Sequence, residues 1–73
     1  MKPRASGAQL KAARELLGWS RDAITEKIGV AVGSIRDVEN GRGSEINAAR
    51  LIALYEAAGV EFLPGGLVRK KQQ

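Results

Sequence analysis

The stretch that most constrains the fold runs from Arg21 to Val38, RDAITEKIGVAVGSIRDV. The apolar residues that mark its pattern fall at Ala23, Ile24, Ile28, Val30, Ile35 and Val38. Ile24 and Ile28 lie one helical turn apart, and Ile35 and Val38 nearly so, so each pair makes a stripe that buries on one side. Gly29 directly follows Ile28 and suits a left-handed helix C-cap, a conformation other residues reach only at a cost. The stretch therefore reads as two short helices around a tight turn, with Val30 tucking back into the core. Ser20 is the N-cap of the first, and Asp22 in its first turn favours the positive end of the helix dipole. The second covers about Ala31 or Val32 to Asn40, where Asn40-Gly41 ends it. Gly33, near its start, costs about 1 kcal/mol against alanine. Either the backbone there approaches something closely, or the residue is simply tolerated.

The rest of the chain must supply the core these helices pack on. With 73 residues it is one small domain with a marginal core, for which oligomerisation is a common remedy. A preceding helix is expected from Gly7 or Ala8 to Leu17, with Leu10, Ala13, Leu16 and Leu17 as its apolar stripe. Lys11 and Glu15 form an exposed pair of the weaker orientation. Gly18 stops this helix. Trp19 reads as a packing residue placed N-terminal to the Ser20 cap, in position for a hydrophobic staple toward Ile24. A fourth helix is expected from Ser44, or more conservatively Asn47, to Ala58, with Ala48, Leu51, Ile52, Leu54, Tyr55 and Ala58 as a broad apolar face and Gly59 as its cap. VEFL (Val60 to Leu63) and LVRK (Leu67 to Lys70) flank Pro64-Gly65-Gly66 and read as a small β-hairpin. An isolated hairpin is marginal, so it must pack on the helices or pair with another chain. The expected organisation is a flexible basic arm over 1–6, a helical domain over 7–59, and a hairpin with a basic tail over 60–73 as a candidate dimerisation element.

Composition excludes much chemistry. There is no cysteine and no histidine, which removes disulfides, thiolate metal sites, the usual general base and the Ser-His or Cys-His pair. No glycine-rich phosphate loop or carboxylate constellation stands in for them, so neither an enzyme nor a cofactor is expected. Asp22 and Glu26, four apart with no other ligand type nearby, read as a solvated face and not as a metal pair. The formal charge of +4 permits binding to nucleic acid or an anionic surface. The basic residues are spread over several elements and not along one helix face, unlike a membrane-surface helix. No apolar run approaches transmembrane length, and the start lacks the apolar core of a signal peptide. The expected location is the cytoplasm, at the nucleoid, with no membrane partner.

The set Gly18-Trp19-Ser20, the turn Ile28-Gly29-Val30, then Ile35, Val38 and Glu39-Asn40-Gly41, resembles the Xre/Cro-type helix-turn-helix regulators, the group of the lambdoid phage repressors. The likeness covers about residues 7–59. It implies a mainly α fold: a four-helix lambda-repressor-like domain, here with the C-terminal β-hairpin. It implies that the helix from about Val32 is the recognition helix, with Val32, Gly33, Arg36 and Asp37 facing the major groove. Ser20 and Arg21 at the start of the preceding helix would contact phosphate, with Ser34, Asn40 and Arg42 flanking the same backbone. It further implies an ion pair between Arg14 and Glu39. The basic arm is then either a solvated terminus or a contact to phosphates or the minor groove.

Three departures from that pattern bear on mechanism. Thr25 replaces the small residue common at the closest approach of the two helices. Ala31 replaces the usual serine or threonine cap, which loses a side-chain bond to a free amide. Val32 and Gly33 have no bidentate donors, so polar readout rests on Arg36, whose fork suits guanine, and on Asp37, which accepts from cytosine or orients a neighbouring arginine. The reading is a sequence-specific regulator of transcription, a repressor acting as a homodimer on an inverted repeat of double-stranded DNA. The alternative is an antitoxin of a type II toxin–antitoxin pair that binds a partner protein and regulates its own operon. The hairpin resembles a dimerising strand of some such antitoxins, but Val60 to Gln73 is short for a segment that wraps a toxin.

Overall fold

The computed structural model describes residues 4–71. In chain order these form α1 (Gly7–Leu17), α2 (Arg21–Ile28), α3 (Val32–Glu39) and α4 (Glu45–Ala57), then β1 (Val60–Leu63) and β2 (Leu67–Lys70). The mainly helical domain with a C-terminal antiparallel hairpin is the one the sequence predicts.

Local chemistry sets the helix ends. Ser6 caps α1 in a reciprocal box: its hydroxyl accepts from the Gln9 amide at 3.1 Å, and its own amide donates to Gln9 Oε1 at 2.9 Å. Ser20 and Ser44 cap α2 and α4, each accepting from the amide three residues on at 3.1 Å. Ala31 starts α3 with no side-chain cap bond. Gly29 ends α2 in the left-handed region at φ 73°, and its amide donates to Thr25 O at 2.8 Å. Thr25 adds a second clamp, because its hydroxyl donates to Val30 O at 2.7 Å. The unusual residue at this position thus closes the turn between α2 and α3, satisfying a carbonyl in a segment where Val30 is buried.

The core gathers Leu10 and Ala13 of α1, Ile24 of α2, Val30 of the turn, Ile35 and Val38 of α3, Leu51, Ile52 and Tyr55 of α4, and Val60 of β1. Leu17, Trp19 and Leu54 pack against its edge. Leu16 departs from the expected stripe and is 43% exposed. At about 100° per residue, Leu17 returns to the direction of Leu10, whereas Leu16 lies roughly 120° away. The α1 start is pressed against the end of α3: a Cβ on Gly7 would collide with the carbonyl oxygens of Val38 and Glu39.

The hairpin packs on this helical body. Its register pairs Val60 with Lys70, Glu61 with Arg69, Phe62 with Val68, and Leu63 with Leu67. Val60 is buried, and Phe62 and Val68 pack against the core. Gln9 Nε2 donates to both Leu63 O and Leu67 O at 2.9 Å, tying the turn end of the hairpin to α1. Glu61 and Arg69 pair at 2.7 Å, the arginine exposed and the carboxylate half-buried. Of the two options for a marginal hairpin, packing on the helices is therefore realised.

The arm expected over 1–6 is docked where it is described. Arg4 forks onto Glu56 at the end of α4, with Nη1–Oε2 at 2.6 Å and Nη2–Oε1 at 3.0 Å. Ala5 is buried in the core and Ser6 is the α1 cap. Burial of Ala5 and the Ser6 cap place the start of the folded unit before residue 7, and the exposed Arg4–Glu56 pair adds little to this. Lys2 lies outside the described residues.

Candidate nucleic-acid interface

α3 has two unlike sides. Ile35, Val38 and Glu39 are buried, which orients the helix on the body. Gly33, Arg36 and Asp37 stand at i, i+3 and i+4 and are all exposed, so they share one outward face. Val32, also expected on that face, is half-buried at its edge. Arg36 and Asp37 have no ion-pair partner among the described residues. Asp37 thus orients no neighbouring arginine here, and both polar groups are free to meet base edges.

The residues expected at the DNA backbone surround this face unequally. Ser20, Asn40 and Arg42 are exposed, and Ser34 is half-buried. The Ser20 hydroxyl is occupied in capping α2. The loop after α3 is held by the Arg42 amide, which donates to Asp37 O at 2.8 Å. Arg21 is half-buried and bonded to Glu39, with Nη2–Oε1 at 2.9 Å and Nε–Oε1 at 3.2 Å.

That bond belongs to a cluster underneath the face. The Glu39 carboxylate, with a side chain 1% exposed, also accepts from Arg14 Nε at 2.8 Å and Nη2 at 3.3 Å. Arg14 Nη1 further donates to Trp19 O at 3.2 Å. One buried carboxylate on α3 therefore ties together α1, α2 and the segment between them. Its hydrogen bond to Arg14 holds that guanidinium above its ordinary pKa. Burial, followed by the charge of Glu39, pushes the neighbouring Tyr55 hydroxyl well above its usual value of 10.0. Tyr55 Oη has no protein hydrogen-bond partner among the described residues.

The family resemblance implies the Arg14–Glu39 contact but not the second arginine. Arg21 carries the signal only as a basic residue at the start of α2, and nothing local says that it turns toward α3. Trp19 is a packing residue at the edge of the core, 6.3 Å from the Tyr55 ring, and Lys27 Nζ sits 4.6 Å above its ring centre. No described helix is long and apolar enough to cross a membrane.

A compact helical body presenting one short helix by its exposed face, with a glycine turn leading into it, defines a DNA-binding helix-turn-helix domain. The chain matches a helix-turn-helix family model over residues 10–63. It belongs to the Xre and lambda-repressor-like helix-turn-helix family, a family of DNA-binding transcriptional regulators and not of enzymes. No curated protein and no solved structure matches it.

Proposed function

We propose that this protein is a sequence-specific repressor of transcription that binds double-stranded DNA as a homodimer. α3 enters the major groove, with Arg36 and Asp37 reading base edges, Val32 offering apolar contact to a thymine methyl, and Gly33 lying against the groove. Ser20, Ser34, Asn40 and Arg42 position the domain on the phosphates, which fix register without reading sequence, and Arg21 adds the part of its guanidinium that Glu39 does not hold. Two copies place their recognition helices about 34 Å apart, one turn of DNA, on an inverted repeat.

The observation that carries this reading is the outward face of α3, where Arg36 and Asp37 are exposed side by side without ion-pair partners among the described residues, on a helix whose other side is locked into the core. The net charge of +4 favours approach to phosphate. The homodimer is supported by the small core of a 73-residue chain, for which oligomerisation is a common remedy, and Ile46 and Leu67, 72% and 61% exposed, are the candidate seam residues.

Selection from random duplex DNA at two salt concentrations tests the whole reading. The expected result is an enriched inverted repeat whose half-sites are one helical turn apart. Failure to retain DNA at either salt would overturn it. For the dimer, light scattering of Leu67→Asp and Ile46→Asp variants should show a monomer for the side chain that lies in the seam. A wild-type protein that scatters as a monomer both alone and on DNA would refute the dimer.

A further inference from the structure

Gly33 is a residue the fold does not need. It stands in the first turn of α3 with an ordinary negative φ, since the glycines at positive φ are others. A Cβ built on it would meet nothing within 4 Å. The contrast with Gly7, where a Cβ would strike the backbone of α3, is direct. Gly33 is also exposed, so no packing against the body asks for a small residue. Yet a glycine inside a helix lowers stability relative to alanine, because its unfolded chain has more freedom to lose. In an eight-residue helix without a side-chain cap, the weakening falls where the element has least support.

We propose that Gly33 is the point of closest approach between protein backbone and DNA, and that its missing side chain is what lets α3 seat in the major groove deeply enough for Arg36 and Asp37 to reach base edges. Arg36 and Asp37 lie three and four residues further along the same face, one turn away. A side chain at 33 would strike the floor of the groove before them and lift the helix. Gly33 is thus a specificity-determining residue through its absence of atoms: stability is given up in the free protein and returned as contact in the complex. This inference rests on the DNA-binding reading above and adds the depth at which the helix binds.

The test compares wild type with Gly33→Ala and Gly33→Val on the duplex enriched by wild type and on a random-sequence duplex of equal length. The Ala variant is expected to melt about 4–8 °C higher than wild type. Its affinity for the enriched duplex should fall by tenfold or more, and that of the Val variant further still. Affinity for the random duplex should change less than threefold, because phosphate contacts persist. A stabilised Ala variant that binds the enriched duplex as tightly as wild type would overturn the proposal and leave the DNA-binding reading standing. A destabilised Ala variant would also overturn it, by showing that the fold does need the glycine. Wild type that binds no DNA, or binds without an enriched sequence, would remove both the depth argument and the specific reading on which it depends.

Discussion

Replacing Glu39 with alanine should remove a large part of the stability of this protein. The Glu39 carboxylate is the common acceptor for Arg14 and Arg21, whose side chains are themselves only 12% and 29% exposed. Without it, two guanidinium groups stay close together in a poorly solvated space with no counter-charge. Breaking a buried pair from one side typically costs about 3–5 kcal/mol. The lower end applies, because Arg21 retains enough solvent access to swing outward. A chain of this length has a total stability of roughly 4–11 kcal/mol, so about 3 kcal/mol is a substantial fraction of it. At about 4–8 °C per kcal/mol, the melting temperature should fall by roughly 12–24 °C. Urea unfolding followed by Trp19 fluorescence measures the same quantity at 25 °C, and Trp19 reports locally because Arg14 bonds its carbonyl. Glu39→Gln keeps the shape and one acceptor, so it should lose less. A double-mutant cycle of Glu39→Gln with Arg21→Gln isolates the second arginine's share. A Glu39→Ala loss below about 1 kcal/mol would refute the reasoning, since the cluster would then behave like an exposed surface pair.

Three further outcomes are expected. Tyr55→Phe should be neutral or stabilising near pH 7, because the hydroxyl it removes has no protein partner among the described residues. The folded-state pKa of Tyr55 lies above its unfolded value near 10, so above that pH the unfolded chain holds fewer protons and stability falls as pH rises; the Phe variant should lose this alkaline slope, read by thermal melts between about pH 9 and 11. Ala31→Ser should supply the cap bond that α3 lacks and stabilise by about 0.5–2 kcal/mol in urea titration, and an unchanged midpoint would show that the first turn is already satisfied. In fluorescence-anisotropy titrations, Arg36→Ala should cost about 1–3 kcal/mol on the selected site and relax one base position without moving the melt, whereas Arg21→Ala should weaken all sequences, lower the salt slope by about one and also lower the melting temperature, because it gives up Glu39; identical behaviour of the two variants on specific and random DNA would refute their separate roles.

Much of this protein follows from short-range pattern. The serine that caps α2, and the glycines that end α1 and α2, are legible because caps act within three or four residues; the caps at Ser6 and Ser44 emerge only in the structure. The turn at Gly29 and the stripes of α2 and α3 follow from a period and from a backbone conformation that other residues avoid. The outward face of α3 is implied by the family resemblance, and in the structure the burial of Ile35 and Val38 leaves Gly33, Arg36 and Asp37 outside. Tertiary structure decided the contacts that cross the chain. Arg21 turns to Glu39, Gln9 holds the hairpin, Arg4 clamps Glu56, and Thr25 closes the turn. None of these has a periodic signature, because a long polar side chain is free to choose among partners until packing brings one donor and one acceptor together away from water. The meaning of the two glycines divides along the same line. In sequence Gly7 and Gly33 are alike, each at the start of a helix. Only the packed structure shows that a backbone lies against one, while the other faces open space where DNA is proposed to sit.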